Sequence, residues 1–172
     1  AIGMIAEYTE SYLKDKIDIF KYPEDLISKL NVEKPDVFAV SNYIWNSNLS
    51  YLFCKRIKEI FPETIIVMGG PNFPTIEIEQ EEFLLDRRVV DYYIIKESEH
   101  AFSKLIEYLI DKKKYDLSDV PNLVYLNSKD ELICSKNIER VMDLSLIPSP
   151  YLSGRLDTYL DGKLMPVIQT NR

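Results

Sequence analysis

The chain has 172 residues, 46% of them hydrophobic, with a net charge of −7. That length allows one folded domain with a small appendage, and that apolar content belongs to a globular protein. The charge argues against non-specific binding to nucleic acid or to an anionic membrane, and no apolar run reaches the ~20 residues of a membrane span.

In chain order, residues 2–13 predict a helix, with Ile2, Ile5, Ala6, Tyr12 and Leu13 sharing a face. "IDIF" (17–20) reads as a short strand. Pro23 suits the first turn of a helix that continues through "EDLISKL". "DVFAVS" (36–41) reads as a strand. A helix follows with Leu49, Leu52, Phe53, Ile57 and Ile60 at helical spacing and Ser47 or Asn48 as its cap. "TIIVMG" (64–69) is a second apolar strand, and it runs into the tandem Gly69–Gly70 and then Pro71. A helix over 76–85, a strand over 89–95 and a helix capped by Ser98 come next. "NLVYL" and "ELICS" around "NSKD" predict a β-hairpin. Residues 137–172 contain three prolines and no sustained period, which predicts an extended linker.

Strand–helix alternation with continuous apolar strands implies an α/β fold: a doubly wound parallel sheet buried on both faces. The expected organisation is an α/β domain over 1–115, a hairpin appendage over 116–136 and a linker over 137–172. Such domains usually begin with a strand in the middle of the sheet. This alternation begins with a helix, so the first strand is expected to be missing. The consequences expected are a homodimer or direct pairing of 17–20 with 36–41.

Ligands of open α/β sheets bind outside the carboxyl ends of the strands. Those ends carry Ser41, Asn42 and Tyr43, with Trp45 close by; then Gly69, Gly70 and Pro71; then Lys96, Glu97, Ser98 and Glu99. The first group offers a hydroxyl, an amide and aromatic surface. The second offers bare backbone. The third offers carboxylates at a helix start, where the dipole favours negative charge. Taken singly, each is as readily a cap or a tight turn; their gathering at one edge favours a binding site.

Other chemistries drop out. The glycines spell neither G-x-G-x-x-G nor G-x-x-x-x-G-K-[ST]. A phosphoacceptor receiver domain would need Asp where Ser41 stands. His100 is the sole histidine, expected to be solvated, with no triad or metal cluster around it. Cys54 and Cys134 form no C-x-x-C pair, so neither a zinc site nor a disulfide framework is expected, and they suit a cytoplasmic protein.

The order "PDVFAVSNYIWN", "IKEIFPETIIVMGGPNF" and "VVDYYIIKESEHAFSKLIEYL" resembles the cobalamin-binding domain that precedes the catalytic barrel of cobalamin-dependent radical-SAM enzymes. The later "VPNLVYLNSKDELI", "LIPSPYL" and "VIQTNR" resemble that family's hairpin, its linker and the strand before its cluster-binding cysteines. The resemblance implies a flavodoxin-like, Rossmann-like fold holding cobalamin at the sheet's carboxyl edge. The implied site is Ser41, Asn42, Tyr43, Trp45, Gly69, Gly70, Pro71, Glu97 and Glu99. A 4Fe-4S cluster and S-adenosylmethionine are implied only in a parent protein, downstream of Arg172, with its barrel as partner. Two departures stand out. Lys96 and Ser98 replace both glycines of the family's Gly-Glu-Gly-Glu. The Asp-x-His-x-x-Gly pattern is absent, which implies cobalt without a protein histidine on its lower face. Two alternatives are a degenerate docking domain that binds no cobalamin, and a methylthiotransferase relative. The latter group acts partly on RNA, against which the negative charge counts.

Overall fold

The computed structural model describes residues 2–13, 16–136, 141 and 143–163. The expected strand-like end at 167–172 and residues 137–140 lie outside the described residues.

Helix α1 spans Ile2–Leu13 and α2 spans Pro23–Leu30, with Pro23 in its first turn. Strand β1 (Val37–Ser41), helix α3 (Ser47–Ile60), strand β2 (Ile65–Gly69), helix α4 (Glu77–Leu85), strand β3 (Tyr92–Ile94) and helix α5 (Glu99–Ile110) follow. Strands β4 (Leu123–Leu126) and β5 (Leu132–Cys134) form the hairpin.

The five strands make one sheet in the order β1-β2-β3-β4-β5. β1, β2 and β3 are parallel; β4 runs antiparallel to β3, and β5 antiparallel to β4. The α/β class and flavodoxin-like arrangement are therefore present in a mixed sheet, not a purely parallel one. The hairpin, expected as an appendage, extends this sheet. β4 pairs with the open edge of β3 through Tyr93–Val124 and Ile94–Leu123, and the tight turn then returns β5 antiparallel to β4.

Period-2 alternation divides the strand residues between two cores. Phe38, Ile66, Met68, Tyr93 and Val124 pack on the side that holds Cys54 and Ile57 of α3 and Leu84 of α4. Val67, Ile94 and Leu123 pack on the other, with Ala101, Phe102 and Leu105 of α5. Burial pushes the Cys54 thiol up to about 12, so it is an inert core residue. The buried stripe of α3 is Ser50, Cys54 and Ile57. Leu49 and Leu52, which share the helical spacing of Ile57, are exposed, at 51% and 56%. Helical period defines two apolar stripes on α3, and only the sheet's position selects between them. The caps differ too. Asn46, not Ser47 or Asn48, occupies the N-cap of α3, and Ser98 sits at the N-cap of α5 without a side-chain cap bond.

Residues 17–20 form no strand and do not pair with β1. Side chains of α1 and of residues far along the chain bond part of this segment's backbone, and no ladder forms. Ile17 N–H donates to Glu10 Oε1, Arg155 Nη1 donates to Ile17 O at 3.2 Å, and Tyr159 Oη donates to Ile19 O. Arg155 also holds α1, through Glu7 Oε2 at 2.6 Å and through Glu10. Residues 150–161 thus form a strap across α1 and the 16–22 segment, where an extended linker was expected.

Arg155→Ala is expected to cost about 2 kcal/mol in denaturant unfolding, because it leaves two part-buried carboxylates without their cation. Burial pushes the Glu10 carboxyl up, but Arg155 and the Ile17 N–H outweigh that and hold it below its ordinary 4.5. A lowered folded value gives stability that is present above pH 4.5 and is lost as pH falls through the folded value. The variant should therefore show a shallower acid dependence than the wild type.

Candidate cofactor-binding site

The parallel register sets the site. Ser41 pairs with Gly69, and Gly69 with Ile94, so the three strands end level and in a row. The loops that leave this row carry all the predicted site residues.

The loop after β1 is folded by Asn46, which the sequence reading missed. Its Nδ2 donates to Ser41 Oγ at 3.0 Å, and its Oδ1 accepts the Tyr43 N–H at 2.8 Å. Ser41 Oγ is an acceptor in that bond, so its own proton remains to donate at the edge. Tyr43 and Trp45 stack with centroids 4.6 Å apart and planes 15° apart. Trp45 is 77% exposed, so the pair presents an aromatic plate to solvent beside the row.

Asn42 is different. It is fully buried, and its side chain is engaged inside the protein. Its Nδ2 donates to Asn72 O and to Tyr93 Oη, and its Oδ1 accepts from Asn72 Nδ2 at 3.2 Å. Tyr93 Oη in turn donates to Gly70 O at 2.8 Å. Burial pushes the Tyr93 phenol up to about 12, which keeps that proton in place. Phe73 stacks on the same ring with centroids 3.9 Å apart. The glycine loop is thus knotted onto β1 and β3 by Asn42, Asn72 and Tyr93. Strand alternation in "DYYII" puts Tyr93 in a core but does not reveal where its hydroxyl goes.

The two glycines play separate parts. Gly70 has φ +127°, and a Cβ there would lie 2.6 Å from Asn42 O. What approaches Gly70 is the protein's own backbone. Gly69 has ordinary φ, and a Cβ there would meet Ile94 O at 3.2 Å, with Ser98 Oγ at 4.0 Å. Pro71 is exposed beyond them.

In the third loop, Glu97 Oε2 accepts the Val141 N–H at 2.7 Å, and Glu97 O accepts from Asn122 Nδ2 at 3.1 Å. Glu99 begins α5 and is buried at 5% exposure. His100, expected to be solvated, is half-buried, with Nδ1 3.4 Å from Tyr8 Oη. Burial, and then the nearby Lys104 ammonium, push its imidazole below the usual value. Among the described residues no group of three His, Cys, Asp or Glu could hold a metal ion, and no helix is long and apolar enough to cross a membrane. A cavity of about 440 Å³ opens at the opposite, amino edge, lined by Arg88, Asp91, Tyr92, Tyr125 and Asp130. It contains none of the predicted site residues.

An α/β domain with three level parallel strand ends, a hydroxyl with its proton left to donate and a glycine facing the end of the next strand is a ligand-binding domain of the open-sheet type. The profile described as "B12 binding domain" matches residues 3–106. The chain belongs to the B12-binding domain family, whose ligand is cobalamin. It is 33% identical over 127 residues to a 2-(S-pantetheinyl)-carbapenam-3-carboxylate methyltransferase of Streptantibioticus cattleyicolor, covering 73% of this chain and 18% of that protein. It is 31% identical over 126 residues to the cobalamin-dependent radical SAM methyltransferase TokK of Streptomyces tokunonensis, again covering 73% and 18%. In fold it matches the cobalamin-dependent S-adenosylmethionine radical enzyme OxsB with aqua-cobalamin and S-adenosylmethionine bound. The TM-score is 0.71 at 20% identity, covering 90% of this chain and 21% of that one. The chain therefore spans about a fifth of the proteins it is similar to.

Proposed function

We propose that this chain is the cobalamin-holding module of a radical S-adenosylmethionine protein, in the commonest case a methyltransferase. The observation that carries the reading is the level row Ser41–Gly69–Ile94, with its glycine at the centre. The residues fit the group. Ser41 offers a hydroxyl proton, Gly69 lets β2 lie against Ile94 O where a side chain would crowd it, and the Tyr43–Trp45 plate offers apolar surface. Glu97, Glu99 and Pro71 frame the same edge, and Asn42 acts by holding the glycine loop in place. When bound, cobalamin would supply a methyl carrier, with no histidine from this chain on its cobalt. The 4Fe-4S cluster and S-adenosylmethionine would belong to the parent's barrel. The exposed strip of Ile44, Trp45, Leu49 and Leu52 beside the row supports docking of that barrel here.

A cytoplasmic location belongs to the same reading, supported by the free thiols of Cys54 and Cys134. So does self-association through the outer edge of β1, which carries no further strand among the described residues.

Equilibrium dialysis of the intact protein against hydroxocobalamin, with bound cobalt measured directly, tests the reading. Half-saturation is expected below ~100 μM, roughly −5.5 kcal/mol. No bound cobalt at that concentration would sink it.

A second reading, a docking domain that has lost its cofactor, is favoured by one observation: the space at Gly70 is filled by Asn42. Gly69→Val with unimpaired activity of the intact protein would support it over the first.

A further inference from the structure

We propose that Lys96 is a positioning residue that holds the phosphodiester of cobalamin's nucleotide tail at the strand edge beside Gly69. The inference rests on the cobalamin reading above. Lys96 lies in the loop between Ile94 and Ser98, the two residues nearest to a Cβ at Gly69. Its φ is +57°, in the left-handed region that a residue with a Cβ enters only at a cost.

The turn is imposed from outside. Ile95 N–H donates to Asn122 O at 2.9 Å, and Asn122 Nδ2 donates to Glu97 O at 3.1 Å. Ser98 Oγ donates to Lys96 O at 3.4 Å. Asn122 is itself buried with φ +56°. Glycine would occupy position 96 without strain. Strain that persists because its surroundings over-determine it points to a functional gain.

The gain available is a cation. Lys96 is exposed, and among the described residues its ammonium forms no ion pair. It is the sole basic residue in the stretches 41–45, 69–72 and 95–99 that form the edge. The amides around a corrin ring are neutral, whereas the nucleotide tail carries one permanently ionised phosphodiester. An ammonium binds such a group as a point charge.

The test compares the intact wild-type protein with Lys96→Gln, Lys96→Arg and Lys96→Gly by equilibrium dialysis. The probes are hydroxocobalamin and cobinamide, which lacks the phosphate and the rest of the tail. At low salt, Lys96→Gln is expected to weaken hydroxocobalamin binding about five- to tenfold, and Lys96→Arg to stay within about twofold. Cobinamide affinity is expected to be the same in all four proteins. Salt should weaken hydroxocobalamin binding in the wild type and much less in Lys96→Gln. Lys96→Gly should bind hydroxocobalamin as weakly as Lys96→Gln yet melt at a higher temperature, separating strain from binding. Equal affinity in Lys96→Gln, a parallel loss for cobinamide, or tighter binding in Lys96→Gly would each overturn the proposal while leaving the cobalamin reading intact. A wild-type protein that binds no hydroxocobalamin would overturn both.

Discussion

Gly70→Ala is expected to destabilise the protein by about 3 kcal/mol, lowering the melting temperature by about 6–12 °C for a chain of this size. Two causes act together. The backbone at Gly70 has φ +127°, which an L residue rarely adopts, and the new Cβ would lie 2.6 Å from Asn42 O and 3.0 Å from Asn42 N. Both contacts are to backbone in the loop leaving β1, so relief requires that loop to move. Moving it disturbs Asn42 and the row of strand ends. Gly69→Ala is the control. Its Cβ would meet Ile94 O at 3.2 Å with ordinary φ, so about 1 kcal/mol is expected. That variant should fold and lose cobalamin, whereas Gly70→Ala should lose stability first. Thermal melts of both variants beside dialysis against hydroxocobalamin check this. A Gly70→Ala protein as stable as Gly69→Ala would contradict the close approach.

The second large effect is expected at Asn42. Asn42→Ala removes the partner of Asn72 O, Asn72 Nδ2 and Tyr93 Oη, all at a residue with no exposed surface. A buried polar group left without its partner costs ~1–3 kcal/mol, and the vacated volume adds to it, so a total of about 3–4 kcal/mol is expected in urea unfolding. The same variant tests the site indirectly. The glycine loop is joined to β1 through Asn42 and to β3 through Tyr93. Held at residue 42 only by the backbone bonds Asn42 N–H to Gly69 O and Asn72 N–H to Asn42 O, the loop should move more freely relative to Ser41, and cobalamin affinity should fall. Tyr93→Phe separates the contributions. It keeps the ring stacked on Phe73 and removes only the hydroxyl, so about 1–2 kcal/mol is expected.

Most of the fold was legible because its signals are local. Apolar runs at 36–41 and 64–69 became β1 and β2 within a residue or so. The helix over 2–13, Pro23 in the first turn of α2, and the hairpin around "NSKD" also stand as read. The strand over 89–95 shrank to Tyr92–Ile94, since Val90 N–H bonds back to Arg87 O in a turn. The site was legible at the level of edges: the residues at the strand ends do share one. Their roles were not legible. Asn42 and Gly70 read as ligand contacts, and nothing local showed that they also pack on each other.

The division has one physical reason. The sequence by itself determined what depends on neighbours within a few residues: hydrophobic period, helix starts, turn chemistry, and the row of strand ends that follows from parallel strands of similar length. It also carried the order of motifs that marks the B12-binding domain family. The tertiary structure alone decided what depends on partners far along the chain. Residues 17–20 have the composition of a strand, yet they form no ladder, and Arg155 and Tyr159, about 140 positions away, bond the Ile17 and Ile19 carbonyls instead. Gly70 must be glycine because the Asn42 backbone fills the space a Cβ would need. Lys96 holds a left-handed turn because Asn122 and Ser98 leave it no other. Such pairings arise when chain segments are packed against one another, and no local propensity encodes them.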